Sequence, residues 1–267
     1  MTSSTTIGSE APLAGYLKAL SATLPKSFRA IAEAQMDEVD VWLLDGSTPW
    51  ADAAMRCADS GAGKIVIVVD PGMDDPDAIR QLTTSIRKSS LRIALFETFP
   101  GNPALPGFQE SLPDSVSYMH FQAWTTESQN NAVLAQLRLA RALGFESIGI
   151  KDICALPDSC LLSLQALRYN SRLSLRFLVT ASSALSARHV IRGYAADALA
   201  ILTLFDGNTA RPAEARVTDA SGQHLLPAIY ETAHRFILRN LGSETASLAE
   251  LTALADDVEL TRSLGLN

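Results

Sequence analysis

Runs of apolar residues recur at strand length through the first hundred residues, with helix-forming stretches between them. Residues 41–44 (VWLL) form a short apolar run, which predicts a buried strand. Residues 51–60 are rich in alanine and other helix formers, and Gly61 and Gly63 follow as helix-ending glycines. Residues 65–69 (IVIVV) are β-branched throughout, as in strands covered on both faces. The pattern therefore predicts a strand–helix–strand unit of a parallel sheet.

The ends of these strands are the predicted position of a ligand site. Ligands of parallel α/β sheets bind beyond the carboxyl ends of the strands. Ser47, Thr48 and Pro49 follow the first strand, and Asp70 follows the second. Glu97 ends a further predicted strand in the same way. We therefore treat these strand ends as candidates for binding and catalysis.

The opening residues predict a nucleotide-binding strand and helix joined by a phosphate loop that lacks most of its glycines. A strand over residues 5–10 and a helix over residues 13–20 have the right order, but the fingerprint G-x-G-x-x-G keeps only Gly8. Glu10 puts a negative charge where a pyrophosphate binds, at the helix N-terminus. Residues 21–37 show a helical stretch and no second strand. We expect NAD(P) binding to be weak or absent. Should a dinucleotide bind, the residues expected to line its site are Gly8, Ser47, Thr48 and Pro49.

The second half of the chain changes to shorter, alternating runs. Strands are predicted over residues 116–124, 147–153, 198–205 and 213–218, and helices over residues 131–143, 229–241 and 247–263. Residues 162–179 have two interpretations. They form either two strands joined by a turn at Asn170 and Ser171, or a helix with Leu161, Leu164 and Leu167 on one face. We favour the strands, so this half is predicted to be an α+β domain with a mostly antiparallel sheet.

Residues 48–71 also resemble the Gfo/Idh/MocA-like (glucose–fructose oxidoreductase/inositol dehydrogenase) family. In that family a strand ends in a Thr-Pro turn, and a helix, a Gly-Lys pair, a second strand and Glu-Lys-Pro follow. The matching residues are Thr48, Pro49, Gly63, Lys64 and Pro71. Val69 and Asp70 stand where the family has Glu-Lys, so the family's catalytic lysine is absent.

Weaker matches continue to the C-terminus in the family's order. Phe99 and Pro100 match an aromatic and a proline of a turn that lines the family's active site, without its arginine. Further matches are the helix ending at Leu143-Gly144, the segment 189–193, the Tyr230-Glu231 helix start with Phe236-Ile237, and the closing helix. The family's acid–base histidine and aspartate lie on the long helix, where this chain has Leu134 and Leu137.

The resemblance implies a fold of class α/β plus α+β. A truncated Rossmann-like parallel sheet, residues 1–110, would be followed by a mostly antiparallel-sheet domain, residues 111–267. It also implies an oxidoreductase-like protein of the NAD(P)-dependent sugar or cyclitol dehydrogenase type. Because the catalytic lysine and histidine are unmatched, the alternative is a non-catalytic ligand-sensing or partner subunit of the same fold.

A (β/α)8 barrel is the competing architecture. Predicted strands recur every 25 to 30 residues or so, which is the period of that barrel. Several of these strands end in acids, at Asp45, Asp70, Glu97, Asp152 and Asp206. A barrel would predict a lyase or aldolase. Too many residues follow Asp206 for one closing helix, so we favour the two-domain fold.

Asp70 and Glu97 are the catalytic candidates. A hydride-transfer enzyme of this type needs a proton donor for the developing alkoxide. An ordinary aspartate, with a pKa of ~3.9, is ionised at neutral pH, so Asp70 would act as a base, or as a proton donor only with its pKa raised by burial. His120, His189, His224 and His234 lie in unrelated contexts, and no spacing suggests a metal site.

Composition narrows the partners. The net charge of −7 over 267 residues argues against a nucleic-acid partner. No signal peptide or apolar run of membrane-spanning length is present, so we expect a cytoplasmic protein without a membrane partner. Cys57, Cys154 and Cys160 all have apolar neighbours, which predicts buried thiols. The apolar strand at 198–205 predicts a homodimer, or else a sheet face covered by the closing helices.

Overall fold

The computed structural model describes residues 4–31, 35–47, 49–59, 65–126, 128–207, 209, 211–241 and 248–266. The chain forms two compact units, residues 1–97 with 234–260, and residues 98–233 with 261–267. The first unit thus ends before residue 110, the boundary predicted from the sequence, and includes a C-terminal segment. Five residues used in the predictions lie outside the described residues: Thr48, Gly61, Gly63, Lys64 and Ser247.

The sheet of the first unit is parallel. Its strands are β1 (Thr5–Ser9), β2 (Phe28–Ala30), β3 (Val41–Asp45), β4 (Ile65–Val69) and β5 (Arg92–Phe96). Their order is β2-β1-β3-β4-β5, with every neighbouring pair parallel. The chain adds β2 on one side of β1 and β3 on the other. The crevice beyond the carboxyl ends of β1 and β3 is therefore the topological switch point, where ligands of such sheets bind.

Among the described residues, the α-helices are α1 (Ala14–Ala22), α2 (Trp50–Asp59), α3 (Pro76–Ile86), α4 (Leu105–Ser111), α5 (Gln129–Ala142), α6 (Ala233–Arg239) and α7 (Leu248–Ser263). The side chain of Asp75 caps α3 by accepting a hydrogen bond from the Asp77 amide, and Pro76 follows in the first turn. This start agrees with the sequence prediction.

The closing helices belong to the first unit. Ile237 and Leu238 of α6, with Leu241 after it, are buried in one apolar cluster with Ile7 and Leu43 of the parallel sheet. Arg80 of α3 pairs with two carboxylates of α7, Asp256 at 3.1 Å and Glu259. The first unit therefore recruits a segment more than 130 residues beyond its last strand to complete its core.

The second unit is built on a mixed, mostly antiparallel sheet. Its strands are β6 (Tyr118–Thr125), β7 (Glu146–Leu156), β8 (Ser159–Arg168), β9 (Ser171–Ala181), β10 (Arg188–Tyr194), β11 (Leu199–Phe205), β12 (Glu214–Asp219) and β13 (Gly222–Leu225). The order is β13-β12-β11-β10-β6-β9-β8-β7. Among these strands, only β6 and β9 pair in parallel.

One face of this sheet is buried and the other is partly exposed. Residues of β6 alternate between half-buried and buried, and α5 packs against β6 and β9. On the buried face, the Phe121 ring contacts Phe177 edge to face with the ring centres 5.0 Å apart. The opposite side, called the open face below, carries Tyr118, His120, Gln122 and Trp124 of β6.

The architecture confirms the two-sheet prediction and excludes the barrel, because the strands form two separate sheets. Residues 162–179 are indeed two strands. Their turn is at Tyr169 and Asn170, one residue earlier than predicted, and both have positive φ, as a type I′ hairpin requires. No helix of the described residues is long and apolar enough to span a bilayer.

Three local predictions were wrong. Residues 21–37 contain the short strand β2 instead of a long helix. The helix predicted over residues 229–241 is shorter and begins at Ala233. Cys154 is exposed, since it lies on the edge strand β7, while Cys57 and Cys160 are buried as expected. Burial raises the pKa of each buried thiol to about 11, so neither is a reactive thiolate.

Candidate functional site

The crevice at the switch point holds a carboxylate of the protein itself. Glu10 directly follows β1, and its side chain accepts a hydrogen bond from the Asp45 amide at the end of β3, at 3.3 Å. The Glu10 amide in turn donates to the carbonyl of Leu43 at 3.3 Å. A turn of 3-10 helix, Ala11–Leu13, leads from Glu10 into α1. Glu10 therefore bridges the two strands across the position where a phosphate loop would lie.

Gly8, the glycine predicted to contact a cofactor, has a packing role. It lies within β1 and pairs with Trp42 of β3. A Cβ atom at Gly8 would come within 2.8 Å of the Trp42 ring and 3.2 Å of a Val39 methyl. Glycine is needed here because the indole of the neighbouring strand fills the space of its side chain.

The turn after β3 also uses its polar groups internally. The Ser47 amide donates to the Asp45 carboxylate at 2.9 Å, and the Ser47 and Pro49 side chains are exposed. At the start of α2, the Ala51 amide donates to the Asp74 carboxylate at 2.8 Å. Asp74 is buried, with 7% of its surface exposed. A helix N-terminus attracts anions, and here an acid of the loop after β4 takes that position.

Asp70 is held in an unusual backbone conformation at the end of β4. Its φ of +46° lies in the left-handed region, which aspartate tolerates better than most residues. Its amide donates to the Phe96 carbonyl at 2.7 Å. Gly46 lies so close that a Cβ there would approach the Val69 and Asp70 carbonyl oxygens to 2.4 and 2.6 Å. The surrounding backbone therefore fixes the direction in which the Asp70 side chain leaves the sheet.

A cluster of three polar side chains surrounds this strand end. The Tyr16 hydroxyl on α1 lies 2.6 Å from His234 Nδ1 on α6. His234 Nε2 lies 3.5 Å from an Asp70 carboxylate oxygen. The imidazole also stacks on Phe96, with the ring centres 5.7 Å apart. We call Tyr16, His234 and Asp70 the edge triad.

Electrostatics settles the protonation of the phenol in this triad. Burial and the nearby charge of Asp70 raise the pKa of Tyr16 far above its ordinary value. The phenol therefore keeps its proton at neutral pH. Its hydroxyl group shares a hydrogen bond with His234 Nδ1.

Glu97 lies at the neighbouring strand end. Val69 and Phe96 pair in the sheet, so Asp70 and Glu97 leave β4 and β5 at the same edge. Glu97 is buried, with 9% of its surface exposed, whereas the Asp70 side chain is 51% exposed. Of the two predicted catalytic acids, Asp70 is thus the accessible one.

The second unit buries a histidine of different character. His189 on β10 is 3% exposed, its ring is 4.2 Å from that of Phe99, and its Nδ1 has no hydrogen-bond partner among the described residues. Burial lowers the pKa of His189 to about 3, so it is neutral.

His120, on the open face, has its pKa lowered by burial and by the nearby Arg192 and Arg176. The described residues include no group of three or more potential ligands that could hold a metal ion.

The residues that the structure describes at the switch point do not fit a dinucleotide. A pyrophosphate needs backbone amides and space at the helix N-terminus. Here the Glu10 carboxylate takes the Asp45 amide, and Asp74 caps α2. The fold supplies β2, the strand that should end in a ribose-binding acid; Glu33, the acid after it in the sequence, lies outside the described residues.

The protein resembles known proteins in its structure and hardly in its sequence. No family model and no curated protein matches the chain. An oxidoreductase from Sinorhizobium meliloti superposes with a TM-score of 0.76 at 10% identity, covering 98% of this chain and 97% of that one. A UDP-N-acetylglucosamine 3-dehydrogenase from Acidithiobacillus ferrooxidans gives a TM-score of 0.69 at 11% identity, with the same coverage.

A third match is a 3-ketoreductase from Actinomadura kijaniata, solved as a lysine-to-glutamate mutant with TDP-benzene and NADP. Its TM-score is 0.74 at 13% identity, covering 98% of this chain and 96% of that one. Such low identities establish the fold and nothing finer. The resemblance to the Gfo/Idh/MocA-like family is therefore confirmed as a shared fold, a parallel Rossmann-like sheet followed by a mixed, mostly antiparallel sheet.

Proposed function

We propose that the protein is an oxidoreductase-like relative of the sugar and cyclitol dehydrogenases that binds a small hydroxylated molecule without their tight use of NAD(P). The solved structures of the same fold include dehydrogenases and a reductase bound to NADP. In this chain the fold is kept while the phosphate loop is altered.

The observation that carries the proposal is the Glu10 carboxylate at the switch point, bonded to the Asp45 amide. A phosphate group at this position would lie close to the negatively charged Glu10 carboxylate, which already accepts a hydrogen bond from the Asp45 amide. At a partly buried site such like-charge repulsion costs more than it would in water. The Asp74 carboxylate at the start of α2 adds a second internal acid in a position that favours an anion.

Calorimetric titration of NADH and NADPH into the wild-type protein tests the proposal. We expect no binding in the micromolar range. Glu10→Gly removes the carboxylate and should tighten NADPH binding by about tenfold or more. Glu110→Gln, an exposed acid on α4 in the second unit, is the matched control and should bind no better than the wild type. Micromolar affinity of the wild-type protein would contradict the proposal.

Asp70 and Glu97 stay the proposed acid–base residues of the site. Asp70 is the stronger candidate because its side chain is half-exposed at the carboxyl edge, and Glu97 is buried beside it. The non-catalytic alternative, a ligand-sensing or partner subunit, predicts ligand binding with no turnover. Assays of sugar and cyclitol oxidation with excess NADP as the hydride acceptor, and without NADP as the blank, separate the two: NADP-dependent turnover that is lost in Asp70→Asn supports an enzyme.

A further inference from the structure

The five central strands of the second sheet carry arginines and no acid. Strands β8, β9, β6, β10 and β11 contain no aspartate or glutamate, although acids outnumber basic residues by 29 to 22 in the whole chain. The acids of this sheet are confined to β7 and β12, at or next to its borders: Glu146, Asp152, Glu214 and Asp219. The centre of the open face is therefore positively charged within an acidic protein.

One row of side chains across this centre consists of arginine, histidine and arginine. Arg192 of β10, His120 of β6 and Arg176 of β9 are directly in register on three neighbouring strands. We call these three side chains the arginine row. Neighbouring strands lie ~4.8 Å apart, so the backbones of the two arginines are about 10 Å apart, with His120 between them. The row thus presents two guanidinium groups over a span that one small molecule can bridge.

The positive charges of the open face have no carboxylate partner among the described residues. Arg192 donates to the neutral Gln122 Oε1 at 3.3 Å, and Arg176 has no hydrogen bond or ion pair with any of these residues. Arg188, next to the row on β10, lies 4.2 Å from the centre of the Trp124 ring, and its buried Nε has no hydrogen-bond partner. Arg192 and Arg188 are half-buried, and a partly desolvated charge without an opposite charge costs free energy.

His120 lies in the same positive field. Its pKa is lowered by burial and by the nearby charges of Arg192 and Arg176. The other titratable side chains around it are Tyr194 on β10 and Tyr118 on its own strand, and both are uncharged at neutral pH. A neutral imidazole between two guanidinium groups leaves the row with a net positive charge and adds one N–H donor.

We propose that the arginine row binds a small oxyanion of the phosphate class that carries two or more negative charges. Guanidinium groups bind phosphate through paired N–H···O hydrogen bonds, which are stronger than those between neutral groups. Two guanidinium groups on strands about 10 Å apart suit an anion with more than one phosphoryl group, such as pyrophosphate. The row lies in the second unit, and its ligand is independent of the function proposed for the switch point of the first.

A second copy on the same face, as in the predicted homodimer, would increase the need for an anion. A two-fold interface contains every side chain of the face twice, so it would bring together the two arginines of each row, four in all. Like charges that are removed from water repel one another more strongly than they do in solution. Negative charge between the copies would offset that repulsion.

Calorimetric titration of sodium pyrophosphate, with the ionic strength held constant by sodium chloride, tests the proposal. We expect submillimolar affinity for the wild type, and affinity about tenfold lower for inorganic phosphate, which is too small to contact both arginines. Arg176→Gln and Arg192→Gln should each lower the affinity for pyrophosphate about tenfold. Arg29→Gln, which removes an exposed arginine of the first unit, is the matched control and should bind like the wild type.

Nuclear magnetic resonance of the His120 ring gives a second readout. Sulfate serves as the anion here, because it keeps its double charge over the whole range in which histidine titrates. Sulfate bound to the row offsets the charges of Arg192 and Arg176 and should raise the pKa of His120. In the variant that carries both Arg176→Gln and Arg192→Gln, sulfate should leave that pKa unchanged. Melting curves identify any variant that does not fold.

The proposal is overturned if the wild type binds pyrophosphate no better than Arg176→Gln does, or if citrate binds more tightly than pyrophosphate at the same ionic strength. Pyrophosphate binding that survives both arginine substitutions would belong to another site, such as the switch point, and would also overturn it. Binding that is weakened by Arg176→Gln and Arg192→Gln, and not by Arg29→Gln, assigns the anion to the open face.

Discussion

His189 shows how burial sets the chemistry of a single side chain. It is fully enclosed in the second unit against Phe99, and its pKa falls to about 3 because the charged form is poorly solvated there. In the unfolded chain its pKa is near ~6.5. Between these two pH values the unfolded chain therefore binds a proton at this histidine, whereas the native protein does not.

Because of this difference, the native protein should lose stability as the pH falls. The contribution of neutral His189 is fully present above about pH 6.5 and is lost progressively as the pH falls towards 3. We expect the free energy of unfolding of the wild type to fall by up to about 1.4 kcal/mol per pH unit more than that of His189→Leu in this window. Urea unfolding at several pH values measures it. Equal slopes for the wild type and His189→Leu would contradict this account.

Only part of the candidate site could be predicted from the sequence. Asp70 could be predicted because it directly follows a run of β-branched residues, and such a run predicts a strand. Tyr16 and His234 could not, since they are 218 residues apart and no local pattern links them. Helix α6 brings His234 to the triad, and Ile237 and Leu238 of the same helix are buried in the core of the first unit.

At the scale of elements, the ends of two neighbouring strands of the parallel sheet, β3 and β4, pack closely against each other. Gly46 lets the turn after β3 approach the end of β4: its amide donates to the Val69 carbonyl at 2.9 Å, and its carbonyl accepts from Gly72 at 2.9 Å. The left-handed conformation of Asp70 depends on this close approach of two backbones.

Gly46→Ala should destabilise the first unit, because the added Cβ would lie 2.4 Å from a carbonyl oxygen that cannot move without shifting β4. We expect a loss of roughly 2 kcal/mol or more in the free energy of unfolding, as for other backbone conflicts. Gly15→Ala is the matched control: nothing lies within 4 Å of its added Cβ, and alanine in α1 should gain about 0.5–1 kcal/mol. Equal effects of the two substitutions in chemical unfolding would contradict this account.

Elements with strong local patterns were predictable and weak ones were not. β3, β4 and β5 are apolar runs buried between helices, so the run itself marks the strand. β2 has three residues, and its identity comes from pairing with β1, which no local pattern encodes. β10 lies in the middle of the second sheet and was recognised only as a family-like segment, since its alternation is broken by three consecutive buried residues.

At the scale of the whole molecule, the open face of the second sheet is only half-buried along β6. The closing helices, the predicted alternative cover, pack largely within the first unit: α6 lies in its core, and Arg80 of α3 pairs with α7. On the open face, Gln122 of β6 is in register with Val190 of β10 and with Leu178 of β9, and Leu178 is in register with Leu161 of β8. Three of the four side chains in this row are therefore apolar.

We propose that a second copy covers this face in a two-fold dimer. A stable interface would bury more than ~1,200 Å² in total, and a broad sheet face can supply it. Light scattering should give twice the 28.6 kDa of one chain. Leu178→Asp should shift the mass to the monomer, while Leu185→Asp, a 40% exposed leucine away from these strands, should not. A wild-type mass of 28.6 kDa would reject the dimer.

The two borders of the eight-stranded sheet have a consequence for behaviour at high concentration. β7 is exposed along most of its length, carries Lys151 and Asp152, and has two register irregularities, from Glu146 to Gly149 and from Ile150 to Asp152. β13, at the other border, has only four residues, all exposed. Bulges, charges and short length are the means by which natural sheets block the addition of foreign strands. Copies of this protein should therefore stack face to face in pairs rather than join border to border into cross-β fibres.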